Sequence, residues 1–130
     1  MIVVDASVIT EAISGLDERN IEAARRLVRG PLCAPHLLDI EVVSALRSML
    51  RRSEIAEAVA QRALRRLTNL PIARMPHSPL VQRCWELRDN LSIYDATYVA
   101  LAEIMGATLL TSDQRLARSP GIRCDVELFS

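Results

Sequence analysis

The chain has no lysine. All sixteen basic residues are arginine, and sixteen acids balance them to a formal net charge of zero over 130 residues. That balance argues against a protein that holds nucleic acid by bulk electrostatics. It leaves room for a local basic rim, because arginine makes planar, bidentate phosphate contacts that lysine cannot. A codon preference in the source genome would explain the same choice equally well. Aromatics are also scarce: Trp85, Tyr94, Tyr98 and Phe129 are all of them. The core must therefore be aliphatic, and a surface that stacks single-stranded bases on several rings is not expected. The glycines are isolated, so there is no glycine-rich phosphate loop. His36 and His77 show no zinc-ligand spacing. Cys33, Cys84 and Cys124 lie far apart with no C-x-x-C pair, which points to reduced thiols and a cytoplasmic setting. The start MIVVDAS has no basic leader, and no apolar run approaches the ~20 residues of a membrane span, so neither a signal peptide nor a membrane location is expected.

What remains has ordinary globular composition, half hydrophobic and a quarter charged, at a length suited to one domain. IVV at 2–4, LCAP at 32–35, IARM at 72–75 and ATLLT at 107–111 read as short buried strands, and IRCDVELF as an edge strand near the end. Between them, helical spacing runs from 6 onward, over 17–29, 37–52, 53–70 (opened by Ser53) and 80–89, then from Ser92 to Gly106, with a short turn after Asp113. Strands alternating with helices predict an α/β domain with a parallel sheet.

In such sheets, sites form beyond the carboxyl ends of the strands. Asp5 follows the first strand and Asp113 follows ATLLTS. Asp95 opens a helix that carries only Glu103 as a charge from 96 to 110, and Glu41 falls near the start of the 37–52 helix. Each acid also has an ordinary explanation. Ser92-x-x-Asp95 matches a capping box, Asp5 and Asp113 are in N-cap position, and Glu41 is a helix-surface residue. Asp39 points to roughly the opposite side of the helix from Glu41 and is the better surface candidate. Should the four converge, bare carboxylates would repel and would take up protons or a cation. Oxygen donors without histidine or cysteine select Mg²⁺ or Mn²⁺, the ions of phosphodiester hydrolysis.

Three stretches carry a resemblance: IVVDASVI, PHLLDIEVVSAL with its Pro-x₅-Glu spacing, and SIYDATYVALAEIMGATLLTSDQRLA. Together they resemble a PIN domain of the VapC toxin type, from Ile2 to about Leu116, and residues 1–130 are accordingly read as a single PIN domain. The resemblance implies a three-layer α/β/α fold with a central, mostly parallel sheet. It implies that Asp5, Glu41, Asp95 and Asp113 hold Mg²⁺, with Mn²⁺ as a substitute. Ser7, Thr111 and Ser112 would be supporting hydroxyls, and Arg115 a phosphate contact. It further implies an endoribonuclease acting on structured RNA such as tRNA or rRNA, a homodimer, and silencing by a VapB-type antitoxin. The 37–52 and 53–70 helices would grip that antitoxin, with Leu46, Leu50, Ile55, Val59 and Leu64 as candidate contacts, core packing being the ordinary reading for most of them. Trp85 is expected in the core or at a dimer interface. Two other readings stay open: an RNA-processing PIN nuclease that is not a toxin, and a catalytically silent α/β module whose acids are only caps.

Overall fold

A computed structural model describes all of residues 1–130. Five short strands form one sheet: β1 (Ile2–Val4), β2 (Leu32–Pro35), β3 (Ile72–Met75), β4 (Thr108–Thr111) and β5 (Val126–Leu128). Their order is β3-β2-β1-β4-β5, and every pairing is parallel. The sheet is thus wholly rather than mostly parallel, with IRCDVELF supplying the β5 edge. The helices are α1 (Ala6–Ile13), α2 (Glu18–Leu27), α3 (Leu37–Arg51), α4 (Glu57–Asn69), α5 (Val81–Glu86), α6 (Ile93–Met105) and α7 (Gln114–Ala117). The helices α1–α4 pack on one another, while α5 packs on α6, and α6 lies against β1, β2 and β4. Right-handed crossovers explain the split. The chain steps from β1 toward β3 with helices on one face. It then returns past β1 to β4 with α5 and α6 on the other.

Parallel strands covered on both faces need apolar residues at successive positions. Val3, Val4, Leu109 and Leu110 meet that need and are fully buried. Each such side chain contributes roughly 1.5–3 kcal/mol by leaving water. The helix α6 is buried continuously from Ala96 to Leu101 and on to Ala102. Its small residues let it sit close on the sheet. Gly106 ends it in the left-handed conformation, at φ 60°, where a side chain would be strained.

Two local expectations change, at Ser53 and Asp39, and the core reading holds for Leu46, Ile55 and Leu64. Ser53 does not open a helix: it takes φ 58° in the turn after α3, and α4 begins at Glu57. Leu46 is 2% exposed and belongs to the core, while Ile55 and Leu64 pack partly against it, so these side chains are largely used up within the fold. Asp39 is not a free surface acid. Arg74 clasps it at 2.9 and 3.1 Å and also donates to the carbonyls of Leu67, Leu70 and Ile72. That arrangement ties α3 and the end of α4 to β3.

Candidate active site

Sheet order decides which acids come near one another. The strand β1 is central and β4 lies beside it, in register at Ile2–Thr108, Val3–Leu109 and Val4–Leu110. The chain leaves β1 on one side and comes back to β4 on the other, so the crevice beyond their carboxyl ends is the topological switch point. Asp5 stands at the end of β1, with its amide donating to the Leu110 carbonyl at 2.9 Å. Asp113 stands just past the end of β4.

Asp5 is 7% exposed, and its carboxylate does not cap α1. Instead Oδ2 accepts from Ser7 Oγ at 2.7 Å and from Thr111 Oγ1 at 2.8 Å. Each hydroxyl also accepts a backbone amide from the loop after β4: Ser112 N–H to Ser7 at 3.1 Å, and Asp113 N–H to Thr111 at 3.1 Å. Two side chains thus clip the ends of β1 and β4 together and aim Asp5. Ser112 takes part through its amide. Asp113 does cap α7, with Oδ1 accepting from the Arg115 and Leu116 amides. Asp95 makes only half of the capping box: Ser92 Oγ accepts the Asp95 amide at 3.0 Å, and the Asp95 side chain does not return the bond.

Glu41 comes from the second turn of α3. The start of that helix is held by His77, whose Nε2 accepts the Leu37 amide at 2.9 Å. Glu41 Oε1 accepts from the Tyr98 hydroxyl at 2.6 Å, across 57 positions of sequence. Tyr98 was not singled out from the sequence. The signal was there in Asp95-x-x-Tyr98, a spacing that puts both residues on one face of a helix.

The electrostatics separate these acids from the others. Burial raises the Asp5 carboxyl above its ordinary value, Ser7 and Thr111 oppose the rise, and Asp113 adds to it. Burial raises Glu41 as well, against the Tyr98 bond and with help from Asp5 and Asp95. Asp95 is raised by burial, then by Asp5 and Asp113. Elsewhere, arginine does the opposite. Arg26 holds Glu127 below the usual range. Glu103, although burial pushes it up, is brought down by Arg83 and the Arg123 amide. At the site the only basic neighbour is Arg115, 3.8 Å from Asp113 Oδ2, and its side chain is 91% exposed.

Four acids therefore share one negative field that the protein does not neutralise. As placed, no three of them meet within ligating distance of a common point, and bare like charges have reason to stay apart. The donor set still suits a hard dication, being all oxygen with no nitrogen or sulfur partner. Asp5 and Glu41 each keep one carboxylate oxygen free of side-chain hydrogen bonds, and Asp113 Oδ2 has only the distant Arg115.

A mostly apolar groove of about 600 Å³ is lined by Leu37, His77, Trp85, Ile93, Tyr94 and Thr97 among others, and by none of the four acids. Trp85 lines it at 59% exposure, with the Arg88 guanidinium 4.3 Å above its ring, so Trp85 is not a core residue. No helix is long and apolar enough to cross a membrane.

Comparison with known proteins agrees with this architecture. A family model described as the PIN domain matches residues 2–122. Ribonuclease VapC1 of Mycobacterium tuberculosis (strain ATCC 25618 / H37Rv) is 44% identical over 127 residues, covering 97% of this chain and 96% of the relative. Among solved structures, PAE2754 from Pyrobaculum aerophilum matches with a TM-score of 0.70 at 24% identity, covering 96% of this chain and 81% of that one. A toxin–antitoxin complex from Klebsiella pneumoniae matches with a TM-score of 0.67 at 20% identity, over 95% and 96% of the two chains. A parallel sheet with acids at its switch point, a match over nearly the whole chain and a relative at this level of identity make the chain a member of the PIN domain family, on its VapC ribonuclease branch.

Proposed function

We propose that this chain, acting as one PIN domain, is a divalent-metal-dependent endoribonuclease and the toxin of a toxin–antitoxin pair. The observation that carries the reading is charge left unpaired. The chain places arginines against Asp39, Glu103 and Glu127, yet leaves Asp5, Glu41 and Asp95 beside one another with raised pKa values. Keeping carboxylates close and unneutralised is costly unless a cation or a reaction uses them. Ribonuclease VapC1, 44% identical, supports the reaction class.

Mg²⁺, with Mn²⁺ as a substitute, would be held by Asp5, Glu41, Asp95 and Asp113. When bound, it would supply Lewis acidity toward the scissile phosphate and its leaving oxygen. The protein's own groups have distinct tasks. Ser7 and Thr111 fix the Asp5 carboxylate, and the first amides of α7 fix Asp113. Arg115 presents a solvent-exposed guanidinium beside the acids, suited to a bidentate grip on a substrate phosphate. Structured RNA such as tRNA or rRNA is the proposed substrate.

A VapB-type antitoxin is the proposed inhibitor, in line with the Klebsiella complex of the same fold. Dimerisation has a ready face in the apolar groove, where Val81, Trp85 and Tyr94 are 63%, 59% and 61% exposed. Sedimentation equilibrium of the wild type and Trp85→Arg tests it, with a dimer expected only for the wild type. The main test is induced expression in cells, followed by sequencing of new RNA ends. The wild type should arrest growth and cut at a small set of sites, and Asp95→Asn should do neither while folding normally. Cleavage and arrest by folded Asp95→Asn would remove the acids from the reaction. Cleavage without arrest would favour an RNA-processing role.

A further inference from the structure

The Tyr98 hydroxyl, bonded to Glu41, has no part in the proposed function. We infer that Tyr98 is a positioning residue, which holds the Glu41 carboxylate so that one oxygen faces the shared pocket. The inference rests on the proposed metal site.

Tyr98 is the largest fully buried side chain of the protein, at 0% exposure. Its ring is locked in the packing of α6 on the sheet and cannot swing without repacking the core. Glu41 is only half-buried, with three side-chain torsions and no other side-chain hydrogen bond. The rigid partner therefore sets the geometry and the flexible one follows. Without the hydroxyl, Glu41 would spread over several rotamers on the open face of α3.

The same device serves the neighbouring acids. Asp5 gives Oδ2 to two hydroxyls and keeps Oδ1 free of side-chain bonds. Asp113 gives Oδ1 to two helix amides. Tyr98 completes the pattern by taking Oε1 of Glu41 at 2.6 Å and leaving Oε2. Phenylalanine would fill the same space in the core, so packing alone does not explain the hydroxyl. Its bond also joins α3 and α6, which belong to opposite layers, at the edge where the acids gather.

The test is calorimetric titration with Mn²⁺ alone, on the full chain freed of metal, for the wild type, Tyr98→Phe, Glu41→Ala and the double variant. Cooperative melting in EDTA establishes that each is folded at the titration temperature. Tyr98→Phe should bind Mn²⁺ about 10-fold more weakly than the wild type, the usual scale for losing a group that orients a ligand. Glu41→Ala should bind more weakly still, and adding Tyr98→Phe to it should change nothing further. Wild-type affinity in Tyr98→Phe overturns the inference, and so do two losses that simply multiply. Multiplying losses leave the metal site standing and remove only the coupling. If Glu41→Ala binds Mn²⁺ as the wild type does, Glu41 is outside the metal site and the role of Tyr98 falls with it.

Discussion

Replacing Asp5 by asparagine should make the metal-free protein more stable and the metal-loaded protein less so. Asparagine has nearly the shape of aspartate, and its carbonyl can still accept from Ser7 and Thr111. What changes is the charge. Asp5 is the acid that both Glu41 and Asp95 feel, and it is itself pushed up by burial and by Asp113. Two carboxylates anywhere from about 5 to 10 Å apart at an effective dielectric of about 20 repel by roughly 2–3 kcal/mol. Against this, the two hydroxyl bonds weaken from charge-assisted to neutral, a loss of about 1–2 kcal/mol each. Burial, the largest cause of the rise in the Asp5 pKa, adds to the repulsion, so the balance favours a neutral group at position 5. The net expectation is a gain of about 2 kcal/mol without metal, or a rise in Tm of roughly 5–10 °C for a chain of this size. With Mn²⁺ at about 100 times its dissociation constant, the wild type gains roughly 2.7 kcal/mol, and the variant should gain little of it. Differential scanning calorimetry at neutral pH, in EDTA and then in Mn²⁺, reads both effects. The wild type should melt lower in EDTA and recover the deficit in Mn²⁺. A variant that melts below the wild type in EDTA would show that the hydroxyl bonds outweigh repulsion and burial, and the argument from unpaired charge would fail.

The metal-free protein should lose stability as pH rises from mildly acidic to neutral. Asp5, Glu41 and Asp95 have raised pKa values, so between the ordinary carboxylate value and the raised one the folded chain holds protons that the unfolded chain has released. The lowered Glu103 and Glu127 act with the opposite sign, in a window below the ordinary value. Urea unfolding in EDTA across that range checks the sign, and stability that climbs toward neutral pH contradicts it. Away from the site, Arg74→Ala should cost about 1–3 kcal/mol, because it removes the guanidinium shared by the carbonyls of Leu67, Leu70 and Ile72, the first two of which keep a backbone amide, and leaves the partly exposed Asp39 without its partner. A loss under about 0.5 kcal/mol in the same assay would mean that water replaces the guanidinium freely.

Much of the protein was readable from local pattern. Strands such as IVV and TLL are short and β-branched or aliphatic because both faces of the sheet are covered, and that requirement is written residue by residue. Helix stripes, the stop at Gly106 and the cap at Asp113 likewise depend on neighbours a few positions away. So do the positions of Asp5 and Asp113, since each needs only the end of a strand to be located. The misreadings mark where local pattern ends. Ser53 looked like a helix start, and only the closing turn of α3 shows it in a left-handed conformation. Asp39 looked solvent-exposed until Arg74, 35 positions on, was brought against it.

The nearness of the acids, which lets them feel one another's charge, has another origin. It depends on β1 lying beside β4, strands more than a hundred residues apart, and that adjacency is a property of sheet order. The Tyr98–Glu41 bond depends on helices from opposite layers meeting at one edge. Such contacts arise when the whole core packs, so no window of sequence holds them. Residue types and spacing named the groups able to do the chemistry, and the parallel sheet with its switch point put them in one field.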